Sequence, residues 1–273
     1  MATSAYLTSD FIISTTVNLW TELKHSRPLI QCITNTVVQN LTANVLLAAG
    51  ASPAMIDTPW EASIFIEYAD ALLINLGTLE NTQQLAIPQA TQNAQRNNKP
   101  WVLDPVGIGV LPVRTRLAKE LLAYQPSVIR ANASEIIALG GGEPIGAGID
   151  ARESVLAAQA FAEELASKHN TVVAVSGAVD YITDGDRLIT CNNGDSIQSF
   201  VTGSGCSLGA LIAAFTSLSD DALLATAAAH ICFGLAAQRA SNQVRGPGTF
   251  SPTFIDELYL LDQKAIRSGA KVQ

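Results

Sequence analysis

VTGSGCSLGALIAAF, residues 201–215, sets two glycines and a cysteine directly before a long apolar helical run. A helix start presents unpaired backbone N–H groups and the positive end of the helix dipole, and glycines there let the backbone approach an anion closely. The stretch is therefore a candidate phosphate cradle. Small residues also suit a helix start on steric grounds alone, so the elements on either side decide what the turn is for.

Upstream, short β-rich runs recur: SPAMI (52–56), ADALLIN (69–75), PWVLD (100–104), PSVIRA (126–131) and TVVAVSG (171–177), each bounded by Gly, Pro, Asp or Asn. Between them lie TNTVVQNLTANVLLAAG, NTQQLAIPQATQNAQRN, TRLAKELLAYQ and ESVLAAQAFAEELASKH, with apolar residues three and four apart. Alternating strand and helix predicts an α/β fold, a mostly parallel central sheet flanked by helices on both faces. At 181–201 the pattern changes to YITDGDRLITC and SIQSFV, where Asp184-Gly185 predicts a hairpin and an antiparallel addition to the sheet edge. No repeat, linker or low-complexity segment divides the chain, so residues 1–273 are expected to form one domain.

Ligands of such sheets sit beyond the carboxyl ends of the strands. Asp104-Pro105 ends one predicted strand, Arg130 with Asn132 the next, Ser176-Gly177 a third, and the GSGC turn is expected to leave the last strand for its helix. Four strand ends thus converge on one rim.

The chain carries 16 Lys+Arg against 24 Asp+Glu, a net charge of −8, with no basic cluster, which removes the counterion-release platform of a nucleic-acid binder. Only 15% of residues are charged, against about 25% in a typical soluble domain, and 48% are hydrophobic, which points to a homo-oligomer. Cys32, Cys191, Cys206 and Cys232 form no C-x-x-C pair and no zinc spacing, so reduced, cytoplasmic thiols are expected. The N-terminus MATSAYLTSDFIISTTVNLW lacks the basic and apolar regions of a signal peptide. ALLATAAAHICFGLAAQ (222–238) is short of a membrane span and carries His230, so it is expected to be a buried helix with a core histidine.

No Walker A loop, G-x-x-x-x-G-K-[ST], occurs, so any ATP must be held otherwise. GGGEPIG (140–146) follows a helix instead of a strand and is a poor dinucleotide fingerprint. NASE (132–135) has two readings. It is a capping box, Asn132 and Glu135 satisfying each other's amides, or Glu135 positions Mg²⁺ waters beside Asp104, as suits a hard cation that borrows one or two carboxylates. Arg130 is either a bidentate phosphate clamp or a surface charge at a strand end, and Asp104 either a ligand or a plain Asp-Pro turn.

Together these pieces resemble the hydroxyethylthiazole kinases of thiamin salvage, a branch of the ribokinase-like fold. The resemblance runs through PLIQCITNTVVQNLTANVLLAAGASPAMID, ADALLINLGTL, WVLDPVGIG, IRANASEI, VVAVSGAVDYITDG and VTGSGCSLGALIAAF to RGPGTF. It implies transfer of the ATP γ-phosphoryl group to the primary hydroxyl of 4-methyl-5-(2-hydroxyethyl)thiazole, assisted by Mg²⁺. It places Asn35, Met55 and Gly203 against the thiazole, Asp104 and Glu135 near the metal, Arg130, Asn132 and Ser176 on ATP, and Gly203, Ser204, Gly205 and Cys206 around the transferred group. It also implies a homotrimer with sites between subunits. The rival expectations are a kinase for another alcohol, such as hydroxymethylpyrimidine, and a non-catalytic thiazole-binding relative. This chain departs from the family's usual pattern at Ala131 (glycine), Ser176 and Ser204 (threonine) and Gln31 (histidine). Most ribokinase-like relatives carry aspartate where Cys206 stands. Cys206 is accordingly expected to be the catalytic base, its pKa drawn down by the helix dipole.

Overall fold

The computed structural model describes residues 7–143 and 151–273. The chain runs through α1 (Ser9–Ser26), β1 (Leu29–Ile33), α2 (Gln39–Ala49), β2 (Ser52–Ala54), α3 (Pro59–Phe65), β3 (Ala71–Asn75), α4 (Asn81–Arg96), β4 (Trp101–Asp104), α5 (Pro112–Leu121), β5 (Val128–Asn132), α6 (Ala133–Leu139), α7 (Ala151–His169) and β6 (Val172–Ser176). A hairpin, β7 (Asp180–Thr183) and β8 (Leu188–Cys191), follows, then α8 (Ser204–Thr216), α9 (Ala222–Ser241), α10 (Pro247–Tyr259) and α11 (Gln263–Gly269).

One sheet takes these eight strands in the order β2-β1-β3-β4-β5-β6-β7-β8. It is parallel from β2 to β6 and antiparallel from β6 to β8. Successive strand residues point to opposite faces, and the core divides accordingly. Leu73, Val102, Val128 and Ala174 pack with α1, α2, α8, α9 and α10 on one face. Leu72, Leu103, Ile129 and Val173 pack with α3 to α7 on the other. Both faces are covered, as parallel sheets require.

The hairpin edge is present, Gly185 taking φ +96° at its turn while Asp184 Oδ1 accepts the N–H groups of Asp186 and Arg187. Three expectations change. β1 was not among the expected strands, because its LIQCI sequence breaks the apolar run with Gln31; that side chain is buried and donates to the carbonyls of Ile56 and Ala62. SIQSFV adds no strand: Ser196–Phe200 is a short 3₁₀ turn capped by Asp195, so the GSGC turn follows that turn and not a strand. Of GGGEPIG, Gly140 closes α6 and residues 144–146 lie outside the described residues. α9 is buried along most of its length, and among the described residues no helix is long and apolar enough to cross a membrane.

The registers fix the rim. Asn75 is level with Asp104, and Asn132 with Ser176, all four being the last residues of their strands.

Candidate active site

Asp104 is fully buried at the end of β4. Its Oδ2 accepts a hydrogen bond from Asn75 Nδ2 at 2.6 Å and lies 3.9 Å from Arg130 Nη1, while its Oδ1 has no partner among the described residues. Burial raises its carboxyl to about 6; Arg130 opposes the shift, Glu135 adds to it, and Asn75 opposes it again. A buried carboxylate oxygen without a donor is costly unless something positive meets it. Among the described residues no group of three or more His, Cys, Asp or Glu side chains stands at ligand spacing. The donor set therefore suits a hard cation that completes its shell with water and phosphate oxygens, which is the manner of Mg²⁺.

Glu135 realises the capping box of NASE. Its Oε2 accepts the Asn132 N–H at 3.0 Å, while Asn132 Oδ1 accepts the Glu135 N–H at 3.0 Å. Its other oxygen accepts the Gly107 N–H at 2.8 Å, so the side chain also ties α6 to the loop after β4. Glu135 is buried on the Asp104 side of the rim, and each oxygen keeps a lone pair for a water. Asn132 itself is exposed and serves as the cap; it is not among the described residues lining the cavity below.

That cavity, about 570 Å³, opens between the ends of β5 and β6 and the starts of α8 and the 3₁₀ turn. Arg130, Ser176, Asp180, Ser204, Gly205 and His230 line it. Arg130 Nε donates to Ser176 Oγ at 3.0 Å, which aims the guanidinium along the cavity wall. Gly203 takes φ +90° as the N-cap of α8, a conformation that favours glycine. Ser204, Gly205 and Cys206 form the first turn, their N–H groups free of helical partners.

Asn35 lies two residues beyond β1 and is buried; its Nδ2 donates to Asn75 Oδ1 at 3.0 Å and approaches Cys206 Sγ at 3.8 Å. Met55 lies one residue beyond β2, half-buried against the core. Cys206 is half-buried at the third position of α8. Its expected low pKa is overturned: burial and then Asp104 push the thiol up to about 11, against weaker help from Asn75, Arg130 and Asn35. Desolvation disfavours the thiolate.

The sequence reading did not single out Asn75 or Asp180, and it took His230 as core only. His230 is buried, as expected, yet it also lines the cavity. Its Nδ1 donates to the Thr226 carbonyl at 2.9 Å, which leaves Nε2 as an acceptor, and Nε2 has no partner among the described residues. Burial lowers its pKa. Asp180 Oδ1 accepts the Gly177 N–H at 3.0 Å beside it. A polar residue closing an apolar run, as in ALLIN, was the available signal for Asn75.

The profile of the hydroxyethylthiazole kinase family matches residues 20–264. The chain belongs to the hydroxyethylthiazole kinase family. A hydroxyethylthiazole kinase of Pectobacterium atrosepticum is 47% identical over 253 residues, which are 93% of this chain and 96% of that one. The structure of a hydroxyethylthiazole kinase protein from Pyrococcus horikoshii OT3 superposes with a TM-score of 0.88 at 38% identity, covering 95% of this chain and 98% of that one. A ribokinase-like superfamily protein of Enterococcus faecalis V583 shares the fold alone, with a TM-score of 0.63 at 14% identity over 94% of this chain and 91% of that one. This hydroxyethylthiazole kinase family member therefore has the ribokinase-like fold.

Proposed function

We propose that this protein transfers the γ-phosphoryl group of ATP to the primary hydroxyl of 4-methyl-5-(2-hydroxyethyl)thiazole, in thiamin salvage. One observation carries the reading: the first turn of α8 has different neighbours on its two sides. Ser204 and Gly205 line the cavity on the Arg130 side, and Cys206 meets Asn35 on the other. A phosphoryl donor in the cavity and an alcohol at Asn35 and Met55 would meet at that turn.

In this reading Arg130 and Ser176 hold the phosphates of ATP in the cavity, and Asn132 serves it only by shaping the rim. Gly203, Ser204, Gly205 and Cys206 present the unpaired amides of the helix start to the transferred group, so that its negative charge meets fixed dipoles. Gly203 also bounds the thiazole side. Asp104, through its unpartnered Oδ1, and Glu135, through water, would hold Mg²⁺, which neutralises phosphate charge when bound. Cys206 accepts the hydroxyl proton only in its ionised fraction. That fraction is small at neutral pH, which makes the enzyme slow there.

We further propose a single domain working as a homotrimer with its sites between subunits. Trp60, Ile64 and Tyr68, on and just after α3, are exposed by 80%, 57% and 71% and follow helical spacing, the kind of face that a second copy covers. Light scattering that finds only monomer at micromolar concentration removes this part. A cytoplasmic location fits four free thiols, three of them buried.

The deciding assay is ADP release with ATP and Mg²⁺ over thiazole, pyrimidine and sugar alcohols. Turnover confined to the thiazole alcohol supports the reading. Preference for hydroxymethylpyrimidine, or binding of the thiazole without turnover, replaces it.

A further inference from the structure

At the inner end of β3, three buried side chains form a chain whose direction is set by one backbone group. The Gly77 N–H can only donate, and it meets the Asn75 side chain at 2.9 Å. The atom it meets is therefore the oxygen, Oδ1, and the amide of Asn75 has one orientation. Its Nδ2 then points at Asp104 Oδ2, 2.6 Å away, where a carboxylate accepts. The side chain of Asn35 reaches the same Asn75 Oδ1 at 3.0 Å, so the arm that reaches it must be a donor, Nδ2. The second hydrogen of that Nδ2 faces Cys206 Sγ at 3.8 Å. Asn35 Oδ1 makes no hydrogen bond with the described residues.

We infer that Asn75 is a positioning residue: its amide turns Asn35 so that Asn35 Oδ1 is presented to the hydroxyl of the substrate. On binding, the alcohol O–H donates to Asn35 Oδ1 with its oxygen facing the first turn of α8; for transfer the hydroxyl turns its hydrogen to Cys206 Sγ, which the same Asn35 amide meets. Exposure of Asn75 and Asp104 is 0% and of Asn35 4%, so the two inner side chains are shut off from bulk solvent. A buried amide at the end of an apolar strand costs desolvation that only complete pairing offsets. The space is also built for the pair, since a Cβ on Gly77 would stand 2.7 Å from Asn35 Nδ2 and 2.9 Å from Asn75 Oδ1.

The inference rests on the alcohol lying at Asn35, and a double-mutant cycle keeps the two claims apart. ADP release is measured with ATP and the thiazole alcohol varied separately, on Asn35→Ala, Asn75→Ala and the double variant, with melting curves to confirm folding. Losing one well-oriented hydrogen bond predicts that Asn75→Ala raises the thiazole KM roughly tenfold while the ATP KM stays within about twofold. In the Asn35→Ala background the same substitution should add less than about twofold to the thiazole KM, because Asn75 acts through Asn35. Additive effects, or a parallel rise in both KM values, overturn the positioning role. A thiazole KM untouched by Asn35→Ala overturns the placement of the alcohol itself, and the inference with it. Gly77→Ala serves where Asn75→Ala does not fold. It crowds Asn35 Nδ2 and is expected to raise the thiazole KM alone; an unchanged thiazole KM in that variant overturns the inference.

Discussion

Gly205 packs against the guanidinium of Arg130 so closely that a Cβ there would stand 2.6 Å from Arg130 Nη1 and 2.8 Å from Nη2. The start of α8 and the cation at the end of β5 thus share one volume, and glycine is what lets them. Gly205→Ala should push Arg130 off Ser176 and out of line with the cavity. The expected outcome is a rise of about tenfold or more in the ATP KM, with the thiazole KM little changed, and a melting temperature near that of the parent. Arg130→Lys should act in the same direction, because a point charge cannot replace the fork. Equal ATP KM values in parent and both variants would remove nucleotide binding from this cavity.

Asp104 sets stability against activity. Its carboxyl is raised from 3.8 to about 6 in the metal-free protein, first by burial. Between those values the folded state holds a proton that the unfolded state has released. Stability from this group therefore falls as pH rises from about 4 to 6 and stays low above. The buried charge costs on the order of 3 kcal/mol at pH 7. Asp104→Asn should raise the metal-free melting temperature at pH 7 by several degrees, roughly 2–4 °C per kcal/mol recovered, and should abolish turnover. Mg²⁺ should stabilise the parent and not the variant. A variant less stable than the parent at pH 7 contradicts the desolvated-carboxylate account.

Glu135→Gln tests charge against capping, and the structure shows that it cannot leave the fold untouched. Both oxygens of Glu135 accept backbone N–H groups, from Gly107 and from Asn132. Glutamine has one oxygen, so one of those amides loses its acceptor, at a cost of about 1–3 kcal/mol. Chemical denaturation should record that loss. Turnover should fall by about tenfold or more beyond it under conditions where the variant is fully folded. Unchanged turnover at full folding reduces Glu135 to a cap.

What was legible in the sequence follows the strength of local signals. β3, β4 and β6 are apolar runs closed by Asn, Asp or Ser, the usual writing of a buried parallel strand, and β5 breaks its run only at Arg130. β1 was hidden because Gln31 and Cys32 interrupt the apolar pattern, and Gln31 is admitted only because two distant carbonyls, those of Ile56 and Ala62, receive its amide. Asn75 and His230 gave no sign of their places at the rim and the cavity for the same reason: each looks like an ordinary residue of its element until tertiary partners are known. The Cys206 pKa was misjudged because a helix start is visible in sequence, whereas the burial of the thiol and the nearness of Asp104 are not.

Cys206 gives the sharpest remaining test, because its raised pKa changes what a base mechanism must look like. A thiol at about 11 is protonated throughout the neutral range. If its thiolate accepts the hydroxyl proton, kcat must follow the ionised fraction, climbing roughly tenfold per pH unit from about 7 to 9 with no plateau in that interval. Cys206→Asp places there a carboxylate with a reference pKa of about 3.9. Burial would raise that carboxyl as it raises Asp104, yet it would be ionised above about pH 7. The aspartate variant should therefore be at least as active as the parent at pH 7, with a nearly flat profile to pH 9. Cys206→Ala should cost about 10²-fold or more near pH 9, the low end for a general base. A parent profile that is flat from pH 7 to 9, with an alanine variant as active as the parent, excludes the thiolate. Catalysis would then rest on the amides of Gly203 to Gly205 and on Arg130, and the sulfur would be left as the atom that the Asn35 amide meets.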